Sequence, residues 1–233
     1  MIAYKYSNSH FLHLERSGNK LRKSLEQQCF EKIQQALITL RLPPGELTTE
    51  AELMLMTGFK RTPVRGAIAH LAKQGLLQIL PQKGILVTPL SLGDFLNISD
   101  FRILAETHSA GLVAEQISSS EATELRRLFD SAENLIENNE LEQYVQIDLD
   151  FHRTLAQYTG NKYLIATLSQ LHNLSVRFWF ISFRQAGRLR ETLHEHLDII
   201  ETLENHDTEA AKKAMKKHLT QSQQKIMRVS WNT

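Results

Sequence analysis

The chain has one cysteine, five prolines and two tryptophans among 233 residues, and its acids and bases nearly cancel, leaving a formal net charge of +1. A lone Cys29 has no intramolecular disulfide partner, so a disulfide framework is excluded, and the residue reads as a small side chain on a helix face. No apolar run approaches the roughly 18 residues that a membrane span needs. The first residues hold Lys5 and scattered polar groups but no apolar stretch of the secretory kind, so the expectation is a cytoplasmic protein with no membrane partner. No internal repeat is visible. The near-zero net charge hides an asymmetry. Residues 1–90 carry 12 Lys/Arg against 6 Asp/Glu, a balance of +6, and residues 91–233 carry 15 against 20, a balance of −5. A basic N-terminal portion suits phosphate-backbone binding at one end of the molecule only.

The length permits two domains. Residues 1–20, with Phe11, Leu12 and Leu14, read as an N-terminal extension. From 21 to 40 a stripe of Leu25, Cys29, Ile33, Ala36, Leu37 and Leu40 predicts an amphipathic helix that ends before Pro43. The stretch from Leu47 to Pro89 predicts helix, turn, helix and β-hairpin. Thr48 or Thr49 can cap the first of these helices, Glu50 and Glu52 suit its positive end, and Gly58 supplies the turn. The second is predicted to start with Thr62 as cap and Pro63 in the first helical position, with Val64, Ala67, Ile68 and Leu71 as its apolar face. Lys60, Arg61 and Arg65 lie around its N-terminus, away from that face, as suits a helix that enters a DNA major groove. Leu77–Leu80 and Ile85–Val87, separated by Pro81-Gln82-Lys83-Gly84, form the hairpin, or wing.

Pro43-Pro44-Gly45, Glu50-Ala51-Glu52-Leu53, Arg61-Thr62-Pro63-Val64-Arg65, Gly75-Leu76 and Lys83-Gly84 together resemble the winged helix of the GntR family of bacterial transcription regulators. The resemblance implies DNA contacts from Arg61, Thr62 and Arg65, and a minor-groove approach at Gly84. Two positions depart from the family pattern: Ala51 stands where arginine is common, and Gly66 where glutamate is usual. Gly66 also weakens the helix by roughly 1 kcal/mol.

After a linker at 89–91 the pattern is helical throughout, with helices predicted near 92–117, 120–138, 140–159, 161–183, 188–204 and 207–229. Ser120 is the expected cap of the second and Asp207 of the last. The predicted fold is therefore mainly α: a winged helix-turn-helix over 21–88 and an antiparallel all-α bundle of about six helices over 92–229.

Within the bundle, Asp148 and His152 share a helix face beside an apolar stripe, His196 lies in register with Leu193, Ile200 and Leu203, and His218 with Ala211, Ala214 and Met215. A buried carboxylate needs a partner. One divalent metal held by one carboxylate and three imidazoles would satisfy all four groups, with zinc, nickel, iron and manganese all suited to such donors. The alternative is separate hydrogen bonding of each histidine in or near the core, and spacing alone leaves both open. His10, His13, His70, His108, His172, His194 and His206 receive only the second assignment.

Asp148-Leu149-Asp150-Phe151-His152 followed by Gly160-Asn161, Glu195-His196-Leu197-Asp198-Ile199-Ile200 and Lys217-His218-Leu219 resemble the FCD ligand-binding domain of FadR-type GntR regulators. That resemblance implies metal ligands at Asp148, His152, His196 and His218, and a small carboxylate effector held near the metal. Arg102 matches a common family arginine and could bind the acid; its alternative is an ion pair with Glu106, four residues on. Arg177, amid Leu174, Phe178 and Trp179, is a weaker candidate in a cluster that reads as core or dimer interface. The expected function is a homodimeric regulator, a repressor by the commoner family pattern, that binds double-stranded operator DNA and answers to a metal-assisted carboxylate effector. The rivals are a metalloenzyme using the Asp/His site, for which no further acid–base pair is placed, and a DNA-binding protein with a structural metal only.

Overall fold

The computed structural model describes residues 23–186 and 189–228. The predicted extension 1–20 with His10 and His13, and the helix limits expected at 21, 188 and 229, lie outside the described residues. Helix α1 (Leu25–Ile38) is capped by Ser24, whose hydroxyl accepts from the Gln27 N–H, and buries Cys29, Ile33, Ala36 and Leu37. Helix α2 (Glu50–Thr57) starts at Thr49 in a reciprocal capping box with Glu52 and ends at Gly58, whose φ of 77° is the left-handed turn that glycine allows. Just before it lies a two-residue strand that the sequence pattern did not suggest, β1 (Leu47–Thr48).

Helix α3 (Arg61–Lys73) starts earlier than predicted. Lys60 occupies the cap position without a side-chain bond, so Thr62 is not the cap and Pro63 stands third in the helix. None of the first four N–H groups has an intrahelical partner, so proline fits several first-turn slots and does not by itself fix the start. On this helix a Cβ at Gly66 would sit 2.3 Å from the Glu26 carboxyl carbon, the mobile end of a side chain of α1. Gly66→Ala should therefore displace only Glu26 and raise stability by about 0.5–1 kcal/mol in a urea titration. A loss of stability would show that Glu26 cannot move aside.

Strands β2 (Leu77–Leu80) and β3 (Gly84–Val87) form the hairpin, and β1 pairs antiparallel with β3, giving the order β1-β3-β2. Gly84 belongs to the strand and not to the turn. Its φ is 110°, and a Cβ there would meet the Thr48 carbonyl oxygen at 2.9 Å. The pairing of wing and β1 thus requires glycine at this position on folding grounds alone.

Seven helices follow among the described residues: α4 (Leu92–Gln116), α5 (Ser119–Arg127), α6 (Ala132–Glu137), α7 (Leu141–Tyr158), α8 (Lys162–Ala186), α9 (Leu189–Glu204) and α10 (Thr208–Met227). The helix predicted over 120–138 is two, because Leu128, Phe129 and Asp130 bond back three residues instead of four and turn the chain. Ser118, not Ser120, caps α5, since only Ser118 has Glu121 at the capping-box spacing. Asp207 caps α10 as expected.

Phe129, Tyr144, Phe151, Leu155, Ile199 and Met215 are among the residues that fill the bundle core. A second apolar group joins Ile38 of α1 to Phe95, Phe178 and Trp179 of the bundle, and Leu174 packs on the winged-helix core. The aromatic cluster around Trp179 is therefore core. Polar contacts also cross this junction: Asn173 accepts from Gln34 and donates to Gln74, and Arg177 donates to the Thr88 carbonyl.

Candidate functional site

Two sites emerge. At the head, the Arg61 and Arg65 side chains are 69% and 62% exposed, and both lie against the Glu50 carboxylate, Arg65 Nε at 2.8 Å. Lys60 and Thr62 are exposed beside them. The opposite face of α3 is the buried one, through Val64, Ala67, Ile68 and Leu71. The helix thus presents cations outward from its first turn while Glu50 holds the two guanidinium groups together.

In the bundle, α7, α9 and α10 bring His152, His196 and His218 together, with one ring nitrogen from each within 4.8 Å of the others. His152 Nε2 faces His218 Nε2 at 3.4 Å. Asp148 joins through Oδ1, 3.4 Å from His196 Nε2. All four residues are buried, His196 completely, and neither ring nitrogen of His196 has a hydrogen-bond partner among the described residues. An orphaned, buried imidazole beside two more and a carboxylate fits a divalent cation, which would take the lone pairs that the protein leaves unused.

Carboxylates behind two of the imidazoles fix which nitrogen points inward. Glu195 Oε2 lies 2.8 Å from His218 Nδ1, and its other oxygen accepts from Lys225. Glu106 Oε2 lies 2.5 Å from His152 Nδ1, although off the hydrogen-bonding direction. Glu106 also pairs with Arg102 Nε at 2.6 Å and approaches His172 Nε2 at 3.1 Å. A carboxylate behind Nδ1 leaves Nε2 free as the donor to a cation. Arg102 thus makes the Glu106 ion pair, stacks its guanidinium 4.2 Å above Trp179, and keeps a buried Nη2 without a partner.

Electrostatics follow from burial. It pushes the Asp148 carboxyl up to about 6, against the pull of His218 and Arg102. It drives His152 down to about 3 and holds His196 well below the usual imidazole range, where the neighbouring His218 and His152 add to the effect. His172 is lowered for the same reason. Burial alone would raise Glu106, but Arg102, His152 and His172 outweigh it and hold the carboxyl well below its ordinary value. Near neutral pH His152 and His196 are therefore unprotonated and ready to donate.

A pH dependence follows for the metal-free protein. His152, His172 and His196 have folded values below the unfolded one near 6.5, so the unfolded chain binds more protons and stability drops as the pH is lowered. Asp148, raised to about 6, acts oppositely between its folded and unfolded values. Three imidazoles outweigh one carboxylate, and the urea midpoint should fall from about pH 7 to about pH 5. A midpoint that rises over that interval would contradict the buried placement.

Sequence reasoning missed Glu106 and Glu195 as supports of the imidazoles. Both were visible only as neighbours in chain, at i+4 from Arg102 and next to His196, and nothing in the spacing showed that they reach other helices. His172 is buried, but neither of its ring nitrogens has a hydrogen-bond partner among the described residues, whereas hydrogen bonding in or near the core was expected of it; His70, His108 and His194 are exposed. His206 is exposed too, with its Nδ1 2.9 Å from the Ala114 carbonyl.

A winged helix with an exposed arginine-bearing recognition helix, joined to an all-α bundle, defines a DNA-binding regulator class. Residues 25–87 match the model of bacterial regulatory proteins of the gntR family, and residues 97–221, more than half of the chain, match the FCD domain. The chain belongs to the gntR family of bacterial regulatory proteins, in its FCD-domain form, a family of transcription regulators and not of enzymes. It is 27% identical over 205 residues to the HTH-type transcriptional repressor RspR of Escherichia coli K12, covering 88% of this chain and 90% of that one. It is 26% identical over 231 residues to the HTH-type transcriptional repressor NanR of Escherichia coli, covering 88% and 85%. Among solved structures, E. coli McbR/YncC has the same fold, with a TM-score of 0.79 at 20% identity over 89% of this chain and 99% of that one.

Proposed function

We propose that this regulator is a homodimeric repressor, acting in the cytoplasm, whose bundle binds one divalent metal through Asp148, His152, His196 and His218 and, beside it, a small carboxylate effector. The head over 21–88 would read a palindromic operator through Lys60, Arg61, Thr62 and Arg65, with Gly84 shaping the wing. The bundle over 92–229 would hold effector and dimer contacts. The observation that carries the sensing half is the buried imidazole cluster with its orphaned His196 nitrogens. Arg102 Nη2, buried and unpartnered, is the donor left for an acid once Nε is committed to Glu106. Exposed Phe101 and Leu104 on α4, at 49% and 72% exposure, support a second copy packing there. The names of RspR and NanR support repression.

When bound, the metal would neutralise a buried acid and offer it coordination positions. The protein's own part is to hold His152 and His196 neutral, aim Nε2 inward through Glu106 and Glu195, and exclude water. Glu195→Gln should cost about 10–100-fold in metal affinity while leaving the ligands themselves in place. A structural metal without an effector is the second reading, favoured by the Arg102–Glu106 pair that already occupies most of the guanidinium. The deciding experiment uses operator DNA selected from a random pool, zinc-loaded protein and a panel of small mono- and dicarboxylates. At least one acid should weaken operator binding tenfold or more in the wild type and not in Arg102→Met. Metal binding with no acid altering operator affinity would select the structural reading. An effector moves the equilibrium only by its difference in affinity between the two arrangements of the heads.

A further inference from the structure

A different cavity lies at the junction of head and bundle. Its volume is about 340 Å³, and its walls include Thr88 at the end of the head, Pro89 of the linker, Ile98 of α4, and Leu174, Arg177 and Phe178 of α8. It shares no residue with the imidazole cluster. Arg177 is only 2% exposed, yet no carboxylate lies within 4 Å of it among the described residues. Its Nη1 donates to the Thr88 carbonyl at 2.7 Å, and its Nε has no partner. The Thr88 hydroxyl is likewise buried and unpaired. The acid on the rim, Asp94, is exposed and lies beyond ion-pair distance. Elsewhere this chain neutralises its buried arginine, Arg102, with a buried carboxylate. A buried cation without such a counter-charge is costly, and an anion bound beside it would offset that cost.

We infer that this junction is a second ligand site, one that takes a small carboxylic acid with an apolar body. The carboxylate would receive the guanidinium and the Thr88 hydroxyl, a charge-assisted pairing that planar oxygens suit. Pro89, Ile98, Leu174 and Phe178 form the apolar walls, which favour a ring or short chain over a strongly hydrated polyanion. Burial also lowers Arg177 to about 10, and an anion alongside would raise it back toward its ordinary value. The ligand would touch the linker and the bundle together, and so set the angle between the operator-reading head and the rest of the molecule.

The test is calorimetric titration of the full chain, stripped of metal by chelation, with benzoate, hexanoate and acetate. One benzoate or hexanoate per chain should bind, at least tenfold tighter than acetate. Arg177→Met should weaken both by tenfold or more. Ile98→Trp, which fills the cavity and keeps the arginine, should do the same and covers the case in which Arg177→Met does not fold. His196→Ala should leave binding unchanged, which separates this site from the metal-assisted one. Absence of binding to the wild type, equal affinity for acetate, unchanged binding in both cavity variants, or loss of binding in His196→Ala would each overturn the inference.

Discussion

Arg61→Ala together with Arg65→Ala should weaken binding to the selected operator by about a hundredfold, and either change alone by about tenfold, the scale of losing one good base contact of roughly 1–3 kcal/mol. Both side chains are more than 60% exposed and make no core contact, so the circular dichroism spectrum and unfolding midpoint should stay as in the wild type. Among the described residues the partner either loses is Glu50 across the turn, an exposed pairing of the kind worth about 0–1 kcal/mol. The measurement is fluorescence anisotropy at several salt concentrations. Removing a phosphate contact lowers affinity for all sequences and flattens the salt slope, whereas removing a base contact lowers preference for the operator over other DNA. Unchanged operator affinity in the double variant would move the recognition surface off the start of α3.

The second large effect concerns the bundle. Metal bound to the folded state alone stabilises it by about 4 kcal/mol when present at a thousand times its dissociation constant. For a chain of this size that corresponds to about 10 °C in unfolding midpoint. Chelation of the zinc-loaded protein should therefore lower the midpoint by about that amount, and His196→Ala should abolish the difference between loaded and stripped protein. The gain from metal should shrink as the pH falls below about 6, since protons then compete with the metal for Asp148. A midpoint indifferent to chelator and to His196→Ala would show that the buried imidazoles are satisfied without a cation.

Much of this was legible in the sequence because period and caps carry it. The Cys29, Ile33, Ala36 and Leu37 stripe of α1, the Val64–Leu71 face of α3 and the Asp148/His152 pair on one face of α7 all follow from helical spacing and are buried, while Leu25 of the predicted stripe is exposed and Leu40 lies past the end of α1 in a left-handed turn. Capping was less legible. Three consecutive serines and a Thr-Pro pair each offer several starts, and only the position of Glu121 settles the first of them. Strand β1 was invisible because two residues carry no periodicity. At the site, chain spacing could show that Asp148, His152, His196 and His218 face inward. It could not show that Glu106 and Glu195 stand behind two of them, because those contacts join residues 46 and 23 positions apart. That Arg177 has no carboxylate partner among the described residues was likewise beyond pattern reasoning, since only tertiary structure shows what surrounds it.

The most direct test of the account is the metal content of purified, tag-free protein by elemental analysis, wild type beside His196→Ala. The account predicts about one divalent metal per chain in the wild type and little or none in the variant. No metal in either after incubation with zinc, nickel or manganese would contradict it, leaving a winged-helix regulator whose bundle senses without a cation.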